Sequence, residues 1–266
     1  MYPRLLTLGH IVIPTYGALI ALAVLVALGL ALSLARRVGL DSDRIWTLGL
    51  LAIFSAIAGS KLLLIANNWS SFIASPRMLL SLSTLQSGGV FLGGVALAFV
   101  VCVPYAIHAK LPLLRTMDVI APAIALGQGI GRIGCLAAGC CYGRPTGTHW
   151  GVVFTSHFAE RTTGVPLGVP LYPTQIFESA ASLLICAVLL VLLARKHRDG
   201  EVMGAWLFLY GIARFFLEFY RGDAGRGSVF GGVFTITQLL AMIAVALSGV
   251  VWSVASQQQR LQTHAG

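Results

Sequence analysis

Residues 118–144 read DVIAPAIALGQGIGRIGCLAAGCCYGR, and two opposed folds can be read from them. Gly129–Gly134, GIGRIG, satisfies G-x-G-x-x-G, the pattern of a dinucleotide-binding turn. That turn needs a strand before it and a βαβ unit around it. Here it lies inside APAIALGQGIGRIG, an apolar segment of membrane character, so the Rossmann reading is rejected. No G-x-x-x-x-G-K-[ST] phosphate loop occurs in the chain. Gly127, Gly131 and Gly134 are better explained by close helix packing, or by an interrupted helix beside a substrate cavity.

The rest of the chain agrees. Of 266 residues, 57% are hydrophobic and 10% charged, against about 25% charged in soluble domains. The net charge of +9 is scattered in short clusters between apolar spans, which favours membrane topology and anionic lipid over nucleic acid. Seven spans are expected, near 12–34, 45–66, 88–107, 117–138, 174–194, 202–220 and 231–253. Each is about twenty residues, enough to cross hydrocarbon about 30 Å thick. The first span is too long and uniform for a signal peptide and is read as retained. The expected fold is all-α: one polytopic membrane domain over 1–266, with 139–173 as an insertion whose prolines disfavour a long helix. The tail SQQQRLQTHAG reads as disordered.

Basic residues orient the spans. Arg36, Arg37, Arg44, Lys110, Arg115, Arg195, Lys196, Arg198 and Arg260 gather on one side; Arg4, Arg77, Arg144, Arg161, Arg221 and Arg226 lie on the other. The positive-inside rule then puts the N-terminus and the 139–173 insertion outside and the C-terminus in the cytoplasm.

Ionisable residues within spans are costly and usually functional. They are Lys61, Arg132, Glu178, Arg214 and Glu218. Tyr210, Arg214, Glu218 and Arg221 share one helical face. An Arg214–Glu218 pair neutralising itself is one reading; a cationic cavity gripping a phosphate headgroup is the other, and the two are compatible.

Of five cysteines, Cys102 and Cys186 sit in apolar spans as small core residues. Cys135, Cys140 and Cys141 lack C-x-x-C spacing, and adjacent cysteines rarely supply two ligands to one zinc. A Cys/His site with His149 or His157 stays open, but a thiol or disulfide redox role, including a Cys140–Cys141 bridge, fits better. His157 with Glu160 could offer a base, although a solvated loop pair is the commoner case.

Six ordered motifs give the chain its resemblance. IPTYGALIAL (Tyr16, Gly17) resembles a first-helix tyrosine segment, and AGSKLL resembles G-x-R-L with Lys61 for arginine. GGVFLGG resembles G-G…F-H-G-G, and residues 118–144 resemble D-x-x-A-P…G-x-G-R-x-G-N-F…G-x-x-x-G-R. YPTQIFES resembles H-P-[ST]-Q-L-Y-E, and LYGIARFFLEFYRGD resembles L-Y-G-x-x-R-x-x-x-E-x-x-R. The chain thus resembles the bacterial prolipoprotein diacylglyceryl transferases, seven-helix enzymes of the inner membrane.

The resemblance implies transfer of the diacylglyceryl group of phosphatidylglycerol to the lipobox cysteine of an exported preprolipoprotein, with release of glycerol-1-phosphate. It implies Arg132 and Arg214 as the chief phosphate stabilisers, with Arg144 and Arg221 near the headgroup. Tyr16 and Tyr210 would donate to lipid oxygens, Gln175 and Glu178 match a polar pair, and no metal or organic cofactor is needed. Lys61 and Glu218 complete the substrate-binding set. The departures cluster: Leu92 and Tyr172 replace histidines, Cys135 an asparagine, and Cys140 an acidic residue. Three readings follow: this transferase; a divergent lipid-modifying enzyme using Cys135, Cys140 or Cys141; or a non-catalytic lipid or anion binder.

Overall fold

The computed structural model describes residues 4–8, 11–75, 89–195, 198–223 and 227–264. Arg77, Gly88, Lys196 and Arg226, used above for spans and orientation, lie outside the described residues. A hairpin of β1 (Arg4–Leu8) and β2 (Ile11–Pro14) precedes α1 (Thr15–Arg37). There follow α2 (Ser42–Asn67), α3 (Trp69–Ala74), α4 (Phe91–His108) and α5 (Leu113–Ala138). After α5 come β3 (Val152–Val153), α6 (His157–Thr163), β4 (Pro170–Leu171), α7 (Thr174–Ala194) and α8 (Glu201–Leu217). A 3-10 turn (Glu218–Tyr220), the short strands β5 (Ser228–Val229) and β6 (Phe234–Thr235), and α9 (Ile236–His264) complete the chain.

Among the described residues each expected span lies mainly on a helix, although 12–14 fall in β2 and 231–235 precede α9, and the protein is an all-α polytopic chain. Six helices among the described residues are long and apolar enough to cross a membrane: α1, α2, α5, α7, α8 with its 3-10 turn, and α9. The apolar part of α4, Leu92–His108, is shorter. The tail is not disordered over its described part, because α9 continues to His264. Gln, Arg and Leu are good helix formers, so the helix runs on past its apolar portion.

The chain forms two compact units, 35–113 and 1–34 with 114–266. In the first, α2 meets α4 at glycines. A β-carbon on Gly59 would lie 2.3 Å from the Gly93 carbonyl oxygen, and one on Gly93 would lie 2.4 Å from that of Gly59. Lipid tails are as apolar as side chains, so close backbone packing takes over from hydrophobic burial. Asp41 caps α2 by accepting from the Asp43 and Arg44 amides.

The larger unit is built around α5. Gly127, Gly131 and Gly134 face Ala27, Ile20 and Leu19 of α1, where an added β-carbon would sit at 3.3 Å, closer than ordinary van der Waals contact. The expected packing role of these glycines is therefore met. Gly129 faces α7, where an added β-carbon would strike Leu183 at 2.7 Å. Ala121, Ala125, Ile185, Cys186, Leu189, Val202 and Met203 form the core, which gives Cys186 the packing role its sequence context suggested. Asp118, fully buried, accepts from the Gly200 amide (2.7 Å) and the Met203 amide (2.8 Å). It thereby caps α8, whose own N-cap, Gly200, has no side chain to do so.

Between α5 and α7, residues 139–173 form a small folded insertion. Tyr142, Phe154, Ala159, Val165 and Leu171 make its core, beside the β3–β4 pair. Its helix α6 has only seven residues, in keeping with the proline content.

Candidate functional site

Glu178, in the second turn of α7, is the hub. Its Oε2 lies 2.5 Å from Arg132 Nε; its Oε1 accepts from Arg221 Nη1 (2.8 Å) and Arg214 Nη1 (3.2 Å). Arg214 Nη2 also pairs with Glu218 Oε2 at 2.8 Å. Arg221 grips Asp223 through both Nε and Nη2 at 3.0 Å. Thr235 Oγ1 donates to Glu218 Oε1, linking the cluster to the start of α9. Three guanidinium groups thus meet three carboxylates with formal charge near zero, which is how buried charge becomes tolerable.

The local sequence explains this convergence. Arg132 and Glu178 lie near facing turns of α5 and α7, where Ser179 Oγ donates to the Gly129 carbonyl (2.8 Å). The 3-10 turn after α8 tightens the chain before Arg221. A backbone bridge between Gly143 and Arg221 then ties that residue to the insertion. Side-chain exposure falls from 26% at Arg132 to 9% at Arg214 and 2% at Arg221. Arg132 is therefore the group most open to an incoming anion.

A cavity of about 20 Å³ adjoins the cluster, lined by Gln128, Arg132, Glu178, Ser182, Tyr210 and Arg214 among others. It has room for about one water. Gln128 Oε1 is buried in its wall without a hydrogen-bond partner among the described residues. Tyr210 lines the cavity and stacks on Trp206 at 5.5 Å.

Next to the arginines, the sulfurs of Cys135, Cys140 and Cys141 lie within 4.8 Å of one another. Adjacent cysteines converge because Gly139 (φ 80°) and Cys141 (φ 62°) both adopt left-handed backbone. Spacing alone does not show this. Thr174 Oγ1 holds the Cys141 carbonyl and Gln175 Nε2 the Cys140 carbonyl, each at 2.8 Å. All three thiols are free. Hydrogen bonds from Cys135 and Cys140, then the Arg221 and Arg132 guanidinium groups, hold the Cys141 thiol below its ordinary range. Cys140 is pushed the other way by hydrogen bonding with Cys135 and Cys141 and by burial.

The structure thus brings together Arg132, Arg214, Arg221, Glu178, Glu218 and Tyr210, with Gln175 and the three cysteines alongside. Tyr16 is 41% exposed on α1, which packs at Gly134. The Arg144 side chain is exposed, and its backbone pairs with Tyr172 and Tyr220. Lys61 is half-buried on α2 in the other unit. His157 and Glu160 pair at 3.1 Å with 78% and 48% exposure, a solvated loop pair. Sequence reading missed Asp223, Thr235, Gln128 and Thr174. Only Asp223, two residues from Arg221, left a local signal.

Fold and site together define a polytopic helical membrane protein with a buried arginine–carboxylate cluster. A model of the prolipoprotein diacylglyceryl transferase family matches residues 3–254, and the chain belongs to that family. The phosphatidylglycerol–prolipoprotein diacylglyceryl transferase of Clostridium tetani is 33% identical over 255 residues, 96% of this chain and 98% of the relative. A second such enzyme, from Clostridium perfringens, is 33% identical over 240 residues (89% and 88%). That of Chloroflexus aggregans is 32% identical over 260 residues (91% and 84%).

Proposed function

We propose that this protein transfers the diacylglyceryl group of phosphatidylglycerol to the lipobox cysteine thiol of a prolipoprotein. The observation that carries this reading is the convergence of Arg132, Arg214 and Arg221 on Glu178 beside a cavity. Cleaving the bond between the glyceryl carbon and the phosphate oxygen builds negative charge on phosphate. Preorganised guanidinium groups in a dry site stabilise that charge, because their dipoles need no reorganisation as it develops.

In the resting cluster, Glu178 occupies the arginines. A lipid phosphate competes with it, meeting Arg132 first and Arg214 next, while Glu218 keeps Arg214 oriented. Tyr210 on the cavity wall and Tyr16 on α1 supply hydroxyl donors to lipid oxygens. Arg221 and Arg144 complete the cationic surroundings, and Gln175 sets the cysteine loop; Lys61, on α2 of the other unit, is a separate lipid-binding candidate. The cavity widens as the headgroup enters.

The proposed topology is seven membrane spans in a single domain, with α4 crossing despite its shorter apolar stretch. The N-terminus and residues 139–173 face outward and the C-terminus faces the cytoplasm of a bacterial inner membrane. The test is mass spectrometry of a lipobox peptide incubated with purified protein and phosphatidylglycerol. A thioether-linked diacylglyceryl peptide is expected, reduced about 100-fold or more in Arg132→Ala and Arg214→Ala, as for loss of one transition-state donor. Absence of product from protein that binds phosphatidylglycerol overturns the proposal.

A further inference from the structure

The arginine cluster accounts for the leaving phosphate but not for the incoming thiol. Leu92 and Tyr172 stand where the resembling motifs carry histidine, and among the described residues the cavity beside the arginines is lined by no histidine that could take the thiol proton. The three cysteines sit beside Arg132 and Arg221 and have no part in gripping phosphate. Their sulfurs lie within 4.8 Å of one another. Zinc–sulfur bonds of about 2.3 Å in a tetrahedron place sulfurs about 3.8 Å apart, so small side-chain rotations complete the set.

Three features show a built cluster. Cys141 takes a left-handed conformation (φ 62°), which non-glycine residues adopt only where the surroundings enforce it. The carbonyls of the two adjacent cysteines are clamped by Thr174 and Gln175, whose side chains are at most 1% exposed. Such outer-layer bonds are what orient ligands around a metal. Gln175 Oε1, in turn, has no hydrogen-bond partner among the described residues, leaving an acceptor for a donor brought by a ligand.

We propose that Cys135, Cys140 and Cys141 hold a zinc ion whose fourth position receives the acceptor peptide's cysteine thiol. Three thiolates and Zn²⁺ leave one negative charge, set beside Arg132 and Arg221, which share their own charge with Glu178 and Asp223. A monovalent ion would leave two. Three protein ligands with an open position are the pattern of a catalytic rather than a structural zinc site. Coordination deprotonates a thiol outright, which removes the need for the missing base.

The coordinated sulfur then attacks the glyceryl carbon that bears the phosphate. A carbon–sulfur bond forms, the carbon–oxygen bond breaks, and the electron pair leaves with glycerol phosphate. The thiol proton, displaced on coordination, ends on that phosphate, and zinc stays divalent throughout. This inference rests on the transferase reading.

Metal analysis of detergent-purified protein, followed by exchange with Co²⁺, tests it. One zinc per chain is expected, with thiolate-to-cobalt charge-transfer bands after exchange. A lipobox peptide should shift the cobalt visible bands, and the same peptide with serine for cysteine should not. Cys140→Ser/Cys141→Ser should abolish metal uptake. The Cys135→Asn/Cys140→Glu variant, which restores the residues of the resembling motif, should do the same in a chain with a preserved melting transition.

The inference is overturned by transferase product from metal-free protein, by a reduced cysteine trio that takes up no zinc, or by cobalt spectra indifferent to the peptide thiol. A thiol-responsive cobalt site without phosphatidylglycerol-dependent product would uphold the metal site and overturn the transferase reading instead.

Discussion

Replacing Glu178 with glutamine removes one negative charge from the point where three arginines meet. Shape is kept, and one acceptor oxygen remains, but Arg214 then keeps Glu218 and Arg221 keeps Asp223, while Arg132 loses its charged partner. Glu178 is 4% exposed and its arginine partners 2–26%, so water cannot fully replace it. Removing one member of a buried ion pair costs about 3–5 kcal/mol. At about 2–4 °C per kcal/mol for a chain near this size, the melting temperature should fall by about 6–20 °C. The assay is thermal unfolding in a neutral detergent, where no lipid anion can substitute. Adding phosphatidylglycerol should recover more stability in the variant than in the native chain, because the phosphate occupies guanidinium groups that the carboxylate has released. A melting shift below about 2 °C, or equal lipid stabilisation of both proteins, would refute the idea that Glu178 and the headgroup compete.

Further perturbations separate the parts of the fold. Asp118→Ala strips two amides at the start of α8 of their buried acceptor; a loss of about 2–4 kcal/mol is expected from cap removal and unsatisfied donors, read by chemical denaturation. Gly93→Ala drives a β-carbon into the Gly59 carbonyl, so it should cost about 1–3 kcal/mol, whereas Gly131→Ala, with 3.3 Å to a flexible Ile20 terminus, should cost well under 1 kcal/mol; paired melting curves check the contrast. In a double-mutant cycle, Arg221→Ala with Asp223→Ala should show coupling of about 0.5–3 kcal/mol, since both nitrogens of one fork meet both carboxylate oxygens.

The helices were legible in the sequence because hydrocarbon imposes a length and composition that no soluble element needs. The arginines and Glu178 were legible for the same reason, since charge stands out in an apolar span. What escaped was whatever depends on meeting across the chain. Asp118 looks like a motif residue near the start of α5, and nothing local says that it caps a helix 82 residues later. Asp223 lies beyond its span, and Thr235, though inside the expected span 231–253, is neutral, so neither stands out as a charge in an apolar run. The cysteines show the limit most clearly. Adjacent residues ordinarily diverge, and the left-handed turns at Gly139 and Cys141 make them converge. Propensity does not predict that turn for a cysteine.

The cap at Asp118 has a mechanical consequence. From Asp118 to Arg132 on α5 is fourteen residues, and from Gly200 to Arg214 on α8 is fourteen again, each about 21 Å at 1.5 Å per residue. One end of this matched pair is fastened at the Asp118 carboxylate, the other through Glu178 to both arginines. The two helices therefore run in the same direction as rails with a fastening at each end. A piston-like slide of α8 along α5 would break both fastenings at once, so room for a lipid headgroup has to come from sideways motion. Inserting a single residue between the fastenings of either rail would shift one of them by about 1.5 Å and turn it by about 100°, uncoupling the arginine cluster from the Asp118 cap.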